Sequence, residues 1–361
     1  MNVDSEAYRL SRGERILVVA PHWVGDAVMS LGLLQALKAQ ESGRDTPHIS
    51  VLASNGTAAV YRASPVVSEV ITAPFAHGGL QWSLRRQLSM QLRERQYPFS
   101  TAYILPNSFK TALVPWWARI PRRIGYSAEG RGLMLTHGLP KPSKANKPAM
   151  LDWYGALGGV ATGQVPMPVL KPAADLPAVL TRTGARSQAF LAVAPGAEYG
   201  PAKRWPQTHF ANVIGHYLRQ DEERFAFLLG GPKDIEVCDG IIAACEAGVR
   251  NRVVTLAGKT SLDEAIAVIG AAQAMLSNDS GLMHVAAALG IPQQAVFGSS
   301  DPRHTPPLSD RATIHWLQLP CSPCFERECP LGHTDCLNKL SADSVSAALA
   351  RQLQAADAAG A

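Results

Sequence analysis

Several things are scarce in this sequence, and each shortage removes a class of protein. No apolar run among the 361 residues approaches the roughly 18 to 20 needed to cross a bilayer as a helix. Charged residues make up 17% and apolar residues 47% of the chain, which excludes intrinsic disorder and allows a large core. Basic residues exceed acidic ones by 34 against 29, too small a surplus to coat a nucleic acid but consistent with an anionic substrate or an anionic membrane surface. Cysteine occurs six times, four of them between Cys321 and Cys336, unlike the dispersed framework of a disulfide-stabilised secreted domain. Asp4, Glu6 and Glu14 stand where a secretory leader would be basic and then apolar, so a cytoplasmic location is expected. No Gly-x-Gly-x-x-Gly fingerprint and no Walker loop occurs, and dinucleotide oxidoreductases and P-loop enzymes lose their strongest support. An Asp-x-Asp pair, the usual metal grip on a nucleotide-sugar diphosphate, is also missing.

What is present is a repeated alternation of short β-branched runs with longer helical patterns, the mark of an α/β fold with parallel sheets. At about 150 residues per domain the length suggests two domains. In the first half, strand signals at 15–20, 48–53, 69–73, 101–105 and 123–126 are interspersed with helical spacing at 26–40, 80–95 and 108–117. Proline then becomes dense between residues 139 and 185, as in a linker, around a short helical segment at 150–157. A second alternation comes next, with strands at 190–194, 225–229, 253–256, 274–277 and 294–297, and helices at 206–219, 233–247, 261–270 and 281–289 between them. The expected domains are residues 1–175 and 176–345, with an Ala-rich tail at 346–361 that frays.

Parallel sheets place ligands beyond the carboxyl ends of their strands, where helix N-termini expose unpaired amides. At the first such junction, Pro21-His-Trp-Val-Gly-Asp26, Asp26 either complements the helix dipole or serves as a general base that takes a sugar hydroxyl's proton. At Ser277-Asn-Asp-Ser-Gly-Leu-Met-His284, the choice is between an ordinary cap and an anion site in which Asp279, Ser280 and Gly281 hold a diphosphate. His284 lies inside that helix, as a structural or a catalytic residue. The loop at 195–206 carries Glu198, Lys203 and Arg204 just before a helix that Pro206 can open. Its two cations form either a solvated turn or the partner of a leaving diphosphate. In the glycine turn at 230–234, Lys233 or Asp234 could reach a ribose.

Taken together, Trp23-Val-Gly-Asp-Ala-Val-Met29, Pro-Asn107-Ser-Phe-Lys110, Arg123-Ile-Gly-Tyr126, Pro195-Gly-Ala-Glu198, Lys203-Arg-Trp-Pro206, Asn278-Asp-Ser-Gly-Leu-Met-His284 and Cys321-Ser-Pro-Cys324 to His333 resemble glycosyltransferase family 9. The resemblance covers roughly residues 15–345 and is to the ADP-heptose:lipopolysaccharide heptosyltransferases, with the Cys-rich end favouring the type II branch over type I. It implies a GT-B architecture, two Rossmann-like domains with the acceptor on the first and ADP-heptose mainly on the second. The implied reaction moves L-glycero-D-manno-heptose, with inversion, to the first heptose of the lipopolysaccharide inner core. By the same resemblance Asp26 is the base and Lys203 contacts the donor diphosphate, while Asp279, Ser280 and Gly281 form the donor turn that includes His284. The turn at 230–234 and residues 258–261 line the adenosine pocket.

An acceptor carrying phosphate and carboxylate groups makes Lys110, Arg122, Arg123 and Arg131 candidates to hold it, against their reading as a solvated basic face. The implied partners are ADP-heptose and a heptosylated Kdo-lipid A acceptor, with no nucleic acid, and the lipid acceptor implies peripheral contact with the inner membrane. No cofactor is required by this chemistry. The thiols of Cys321, Cys324, Cys329 and Cys336 could hold a structural zinc, although the unequal spacing departs from zinc-finger patterns. The favoured reading is four reduced thiols or a chance disulfide in a compact loop, and no spacing sets them beside the donor motif. Cys238 and Cys245, on a predicted helix, read as small buried hydrophobes. The competing readings are another GT-B transferase, including heptosyltransferases I and III and UDP-sugar enzymes, and a nucleotide-binding protein without catalysis.

Overall fold

The computed structural model describes residues 14–40, 46–75, 79–143, 148–172, 174–183 and 189–360. Asp4 and Glu6, and residues 144–147, 173, 184 and 185 of the expected linker, lie outside these. The chain divides into two units, Met1–Val169 and Leu170–Ala361, so the boundary falls a few residues before the expected one.

The first unit runs β1 (Arg15–Val19), α1 (Val24–Gln40), β2 (His48–Ala53), α2 (Ala58–Arg62), β3 (Glu69–Thr72), α3 (Trp82–Arg93), β4 (Thr101–Ile104), α4 (Phe109–Trp117), β5 (Arg122–Ser127), β6 (His137–Pro140) and α5 (Met150–Gly155). Its six strands form one sheet in the order β3-β2-β1-β4-β5-β6, every pairing parallel. β1 reads Arg-Ile-Leu-Val-Val because helices cover both faces of such a sheet, and a strand buried on both sides has no polar alternation to show. Leu17, Val19, Ile104, Leu113 and Met134 join in its core.

The second unit runs β7 (Phe190–Ala194), α7 (Gln207–Arg219), β8 (Phe225–Leu228), α8 (Ile235–Ala244), α9 (Ala247–Arg250), β9 (Val253–Thr255), α10 (Leu262–Gly270), β10 (Ala274–Asn278), α11 (Gly281–Ala288), β11 (Gln293–Val296), β12 (Ala312–His315), α12 (Asp335–Asn338) and α13 (Ala342–Gly360). Ahead of β7 in the same unit stands α6 (Leu176–Thr183), which the proline density had concealed inside the expected linker. The second sheet is again six-stranded and parallel, in the order β12-β11-β10-β7-β8-β9. Leu191, Val193, Phe210, Ile214, Leu228 and Leu276 lie at its centre.

The expected frayed tail at 346–361 is instead mostly helix. α13 continues to Gly360, and its Val345, Leu349 and Leu353, four residues apart, are buried in the core of the second unit. Alanine-rich sequence is a good helix former, and this apolar stripe is what docks it. Among the described residues no helix is long and apolar enough to cross a membrane.

Candidate active site

In each sheet the strand order reverses between two central strands, β1 and β4 in the first and β10 and β7 in the second, the place at which parallel sheets of this kind bind ligands beyond the carboxyl ends of their strands. The loops leaving these four strands carry most of the candidate residues.

In the first unit, Asp26 occupies the first turn of α1, directly after β1, where the helix dipole favours a carboxylate. Buried tyrosines lie close by. Burial pushes the phenols of Tyr61 and Tyr154 well above their ordinary value, and the Asp26 charge adds to both shifts. The loop after β4 leads through Asn107 to Lys110 in the first turn of α4, a half-buried residue on the other side of the reversal. A cavity of about 500 Å³ lies at the ends of β1, β2 and β3, lined by His22, Ser54, Asn55, Gly56, Pro74 and Phe75.

Two of the basic residues expected to hold an acceptor are used internally. Arg131 is 0% exposed. Its guanidinium donates to the carbonyls of Tyr126 and Pro106 and to Thr111 Oγ1, tying the turn after β5 to the loop after β4. Burial lowers its pKa to about 10. Arg123 donates to the carbonyls of Met134 and Ile120. The fully buried Arg131 therefore holds local chain turns instead of presenting a charge to a ligand, and the partly buried Arg123 braces the chain on either side of β5 through its Nε and Nη1. Arg122 is exposed.

In the second unit the loop after β7 and the turn after β10 are fastened together. Asn278 donates from Nδ2 to the Pro195 carbonyl at 2.6 Å and accepts the Trp205 amide at 3.1 Å. Lys203 Nζ meets Asp279 Oδ2 at 2.5 Å, with side chains 17% and 5% exposed. Ser300, just beyond β11, donates to the same carboxylate oxygen. Ser280 is the N-cap of α11, and Gly281 opens that helix. The amides of the first helical turn lack helical acceptors and point toward the turn, the arrangement that receives anions. Buried polar atoms without partners among the described residues gather here as well: Ser280 Oγ, Ser299 Oγ and His284 Nδ1. Burial holds the fully enclosed His284 down to about 4, so its imidazole is neutral at physiological pH.

The remaining donor candidates are more varied. Glu198 pairs with Lys233 at 2.7 Å on the exposed rim. Asp234 accepts the Gly231 amide at 2.9 Å and fills the space beside two glycines. A Cβ on Gly196 or Gly230 would come within 2.3 and 2.6 Å of it. The Asp234 carboxylate thus braces the turn between β8 and α8. Ser261 is the N-cap of α10 in a reciprocal box with Glu264. Arg204 Nε is buried and partnerless among the described residues.

Two participants were not assigned roles by sequence reasoning. Asn278 lay within the quoted motif, and only the meeting of β10 with the loop after β7 reveals its clasp. Ser300 comes after a strand and a glycine, a weak signal. The Cys-rich segment, for which sequence gave no place beside the donor motif, packs directly behind it. Tyr199 Oη donates to the Phe325 carbonyl at 2.6 Å, the Ala202 amide to the Arg327 carbonyl at 3.0 Å, and the Phe325 amide to the Ser299 carbonyl at 2.7 Å. Cys321, Cys324, Cys329 and Cys336 line one cavity of about 20 Å³ together with Ala202 and Ser299. Burial and then the other three thiols raise Cys336, whereas the Thr334 amide, with those of Leu331 and Gly332, lowers Cys329. All six cysteines are free thiols. Among the described residues no three or more His, Cys, Asp or Glu form a group that could hold a metal ion.

Comparison with known proteins agrees with this geometry. Residues 85–335 match the model of glycosyltransferase family 9 (heptosyltransferase). The chain is 39% identical over 316 residues to lipopolysaccharide heptosyltransferase 2 of Escherichia coli K12, covering 83% of this chain and 87% of that protein. It is 37% identical over 312 residues to lipooligosaccharide heptosyltransferase 2 of Haemophilus influenzae, with the same coverage. The solved structure of E. coli ADP-heptose lps heptosyltransferase II superimposes with a TM-score of 0.81 at 32% identity, covering 95% of this chain and 99% of that one. With two six-stranded Rossmann-like units, the fold is the expected α/β fold of GT-B heptosyltransferases. The chain is an enzyme that belongs to glycosyltransferase family 9, the heptosyltransferases.

Proposed function

We propose that this enzyme transfers heptose from ADP-heptose to the first heptose of a lipopolysaccharide inner core, with inversion at the anomeric carbon. The observation that carries the reading is the clasp of Lys203, Asp279 and Ser300 beside the N-terminus of α11, a cation fixed next to amides that favour negative charge. The identity to lipopolysaccharide heptosyltransferase 2 supports the donor and acceptor classes.

In the proposed reaction Asp26 takes the proton of the acceptor hydroxyl as its oxygen bonds to the anomeric carbon. The bond from that carbon to the diphosphate breaks on the opposite side. Lys203 and the amides of Ser280 and Gly281 take the charge that accumulates on the departing ADP, and His284 stays neutral beside them. Donor residues Glu198, Asp234 and Asp279 act by shaping the loops around the nucleotide. In-line attack gives inversion. Lys110 and the 500 Å³ cavity of the first unit are proposed to receive the acceptor's anionic and sugar portions. The enzyme is proposed to work at the cytoplasmic face of the inner membrane, where it meets the lipid-borne acceptor.

Because lysine and backbone amides carry the leaving group, no metal is needed, and a chelator should leave the transfer rate unchanged. The decisive assay supplies ADP-heptose with core acceptors bearing zero, one or two heptoses. Preference for the one-heptose acceptor is expected. Preference for the heptose-free acceptor would assign the type I reaction instead, and turnover with UDP-sugars but none with ADP-heptose would overturn the donor.

A further inference from the structure

Two cations converge on one ring beside the donor turn. Lys203 Nζ lies 5.2 Å from the centre of the Tyr199 ring, and the Arg327 guanidinium carbon lies 5.3 Å from the same centre. Lys203 is already paired with Asp279 and largely enclosed. Arg327 is exposed, and among the described residues its guanidinium has neither an ion-pair partner nor a hydrogen-bond acceptor. Its chain neighbours Glu326 and Glu328 are exposed too and form no ion pair with it.

The backbone of Arg327 is fixed by hydrogen bonding, and its guanidinium lies over the Tyr199 ring. Its carbonyl accepts the Ala202 amide at 3.0 Å, and a Cβ on Gly200 would come within 2.4 Å of that same oxygen. Tyr199 is tied by its hydroxyl to Phe325, and Phe325 to Ser299, the residue before the serine that bonds Asp279. The Cys-rich segment thus brings a planar, permanently charged group, with no ion pair or hydrogen bond among the described residues, to the rim of the loop that carries Lys203. A guanidinium presents parallel N–H donors that match phosphate oxygens, and it is less strongly hydrated than an ammonium.

We infer that Arg327 is a second diphosphate-binding residue of the donor site, delivered by the Cys-rich segment, and that it clamps the donor's phosphates together with Lys203. This rests on the reading of the donor as a nucleoside diphosphate sugar. Here Lys203 is the enclosed cation, held in register by Asp279, while Arg327 closes over the phosphates from the solvent side.

The test is equilibrium binding of ADP and of adenosine to the full-length chain and to its Arg327→Gln and Arg327→Lys variants. Arg327 is exposed, so neither change should disturb folding, and unchanged thermal midpoints will check this. ADP should bind Arg327→Gln about tenfold more weakly and Arg327→Lys at an intermediate strength, with adenosine affinity unchanged. ADP affinity equal to that of the parent in Arg327→Gln would overturn the inference. So would equal weakening of ADP and adenosine, which would mean that Arg327 only supports the loop. Failure of the parent itself to bind ADP would instead overturn the donor reading, and this inference with it.

Discussion

Lys203 Nζ and Asp279 Oδ2 stand 2.5 Å apart, joining the loop after β7 to the turn after β10 across the reversal of the second sheet. The pair is mostly buried, so the net attraction between its members matters less than the penalty for losing one of them. Asp279→Ala leaves an enclosed ammonium without its partner, at an expected cost of about 3–5 kcal/mol. Lys203→Met in the same chain should recover much of that loss, because the uncompensated charge goes with it. Urea unfolding of the two single variants and the double variant checks this. Strictly additive losses would show that the pair is not coupled.

Asp26 is the proposed base and belongs to the first unit, in the first turn of α1, whereas the donor clasp belongs to the second. Asp26→Asn keeps the shape and removes the proton acceptor. The transfer rate is expected to fall by about 10²–10⁴-fold while ADP affinity stays at the parent value. Undiminished transfer would remove Asp26 from the mechanism.

Much of the fold was legible because buried parallel strands announce themselves. Runs such as Phe190-Leu-Ala-Val-Ala194 can hardly be anything else, and the loops after them name the candidate site. The strands missed, β6 and β12, are four-residue edge strands with partly exposed side chains, and they carry no apolar run. Side-chain commitments were not legible. Sequence marks Arg131 as basic, but only the meeting of β5 with the loop after β4 shows that carbonyls consume its donors. In the same way, nothing in the spacing of Cys321 to Cys336 indicates that the segment turns back onto Gly200 and Ala202.

That commitment separates Arg131 from Lys110 experimentally. Arg131→Met removes the guanidinium's hydrogen bonds to the Pro106 and Tyr126 carbonyls and leaves Pro106 only the long bond from Thr111 Oγ1 at 3.3 Å among the described residues, so a clear drop in thermal midpoint is expected, about 1–3 kcal/mol for a buried acceptor left unsatisfied. The folded fraction should keep its KM for acceptor. Lys110→Ala should do the reverse, raising acceptor KM with little change in midpoint. A raised acceptor KM in folded Arg131→Met would return that arginine to the binding site.

Acid should destabilise the protein through the enclosed His284 and the partly buried His315. Burial lowers both His284 and His315 from 6.5 to about 4. Above 6.5 both rings are neutral in the folded and unfolded chain, and stability is unaffected. As pH falls below that value, the unfolded chain takes up protons that the folded one refuses. Stability then declines by about 1.4 kcal/mol per pH unit for each histidine, until the folded rings titrate. Urea midpoints at about pH 7 and about pH 5 should differ accordingly, and His315→Gln should reduce the slope. A midpoint unchanged over this interval would contradict the burial of both rings.

Gly200 offers the most direct probe of the contact between the Cys-rich segment and the donor loop. A methyl group there would meet the Arg327 carbonyl at 2.4 Å, and the atom met is backbone, which cannot rotate away. Gly200→Ala must therefore part the two segments, weakening the Ala202 to Arg327 hydrogen bond and shifting the loop that holds Lys203. Displacements of this kind cost catalysis out of proportion to their size, about 10²-fold for a shift near 1 Å. The expected result is a large rise in KM for ADP-heptose with a modest loss of stability. Gly132→Ala serves as the control, since a Cβ there meets nothing within 4 Å, and it should leave donor KM unchanged. If Gly200→Ala binds donor as the parent does, the Cys-rich segment is not a support of the donor loop, and its packing there has no bearing on transfer.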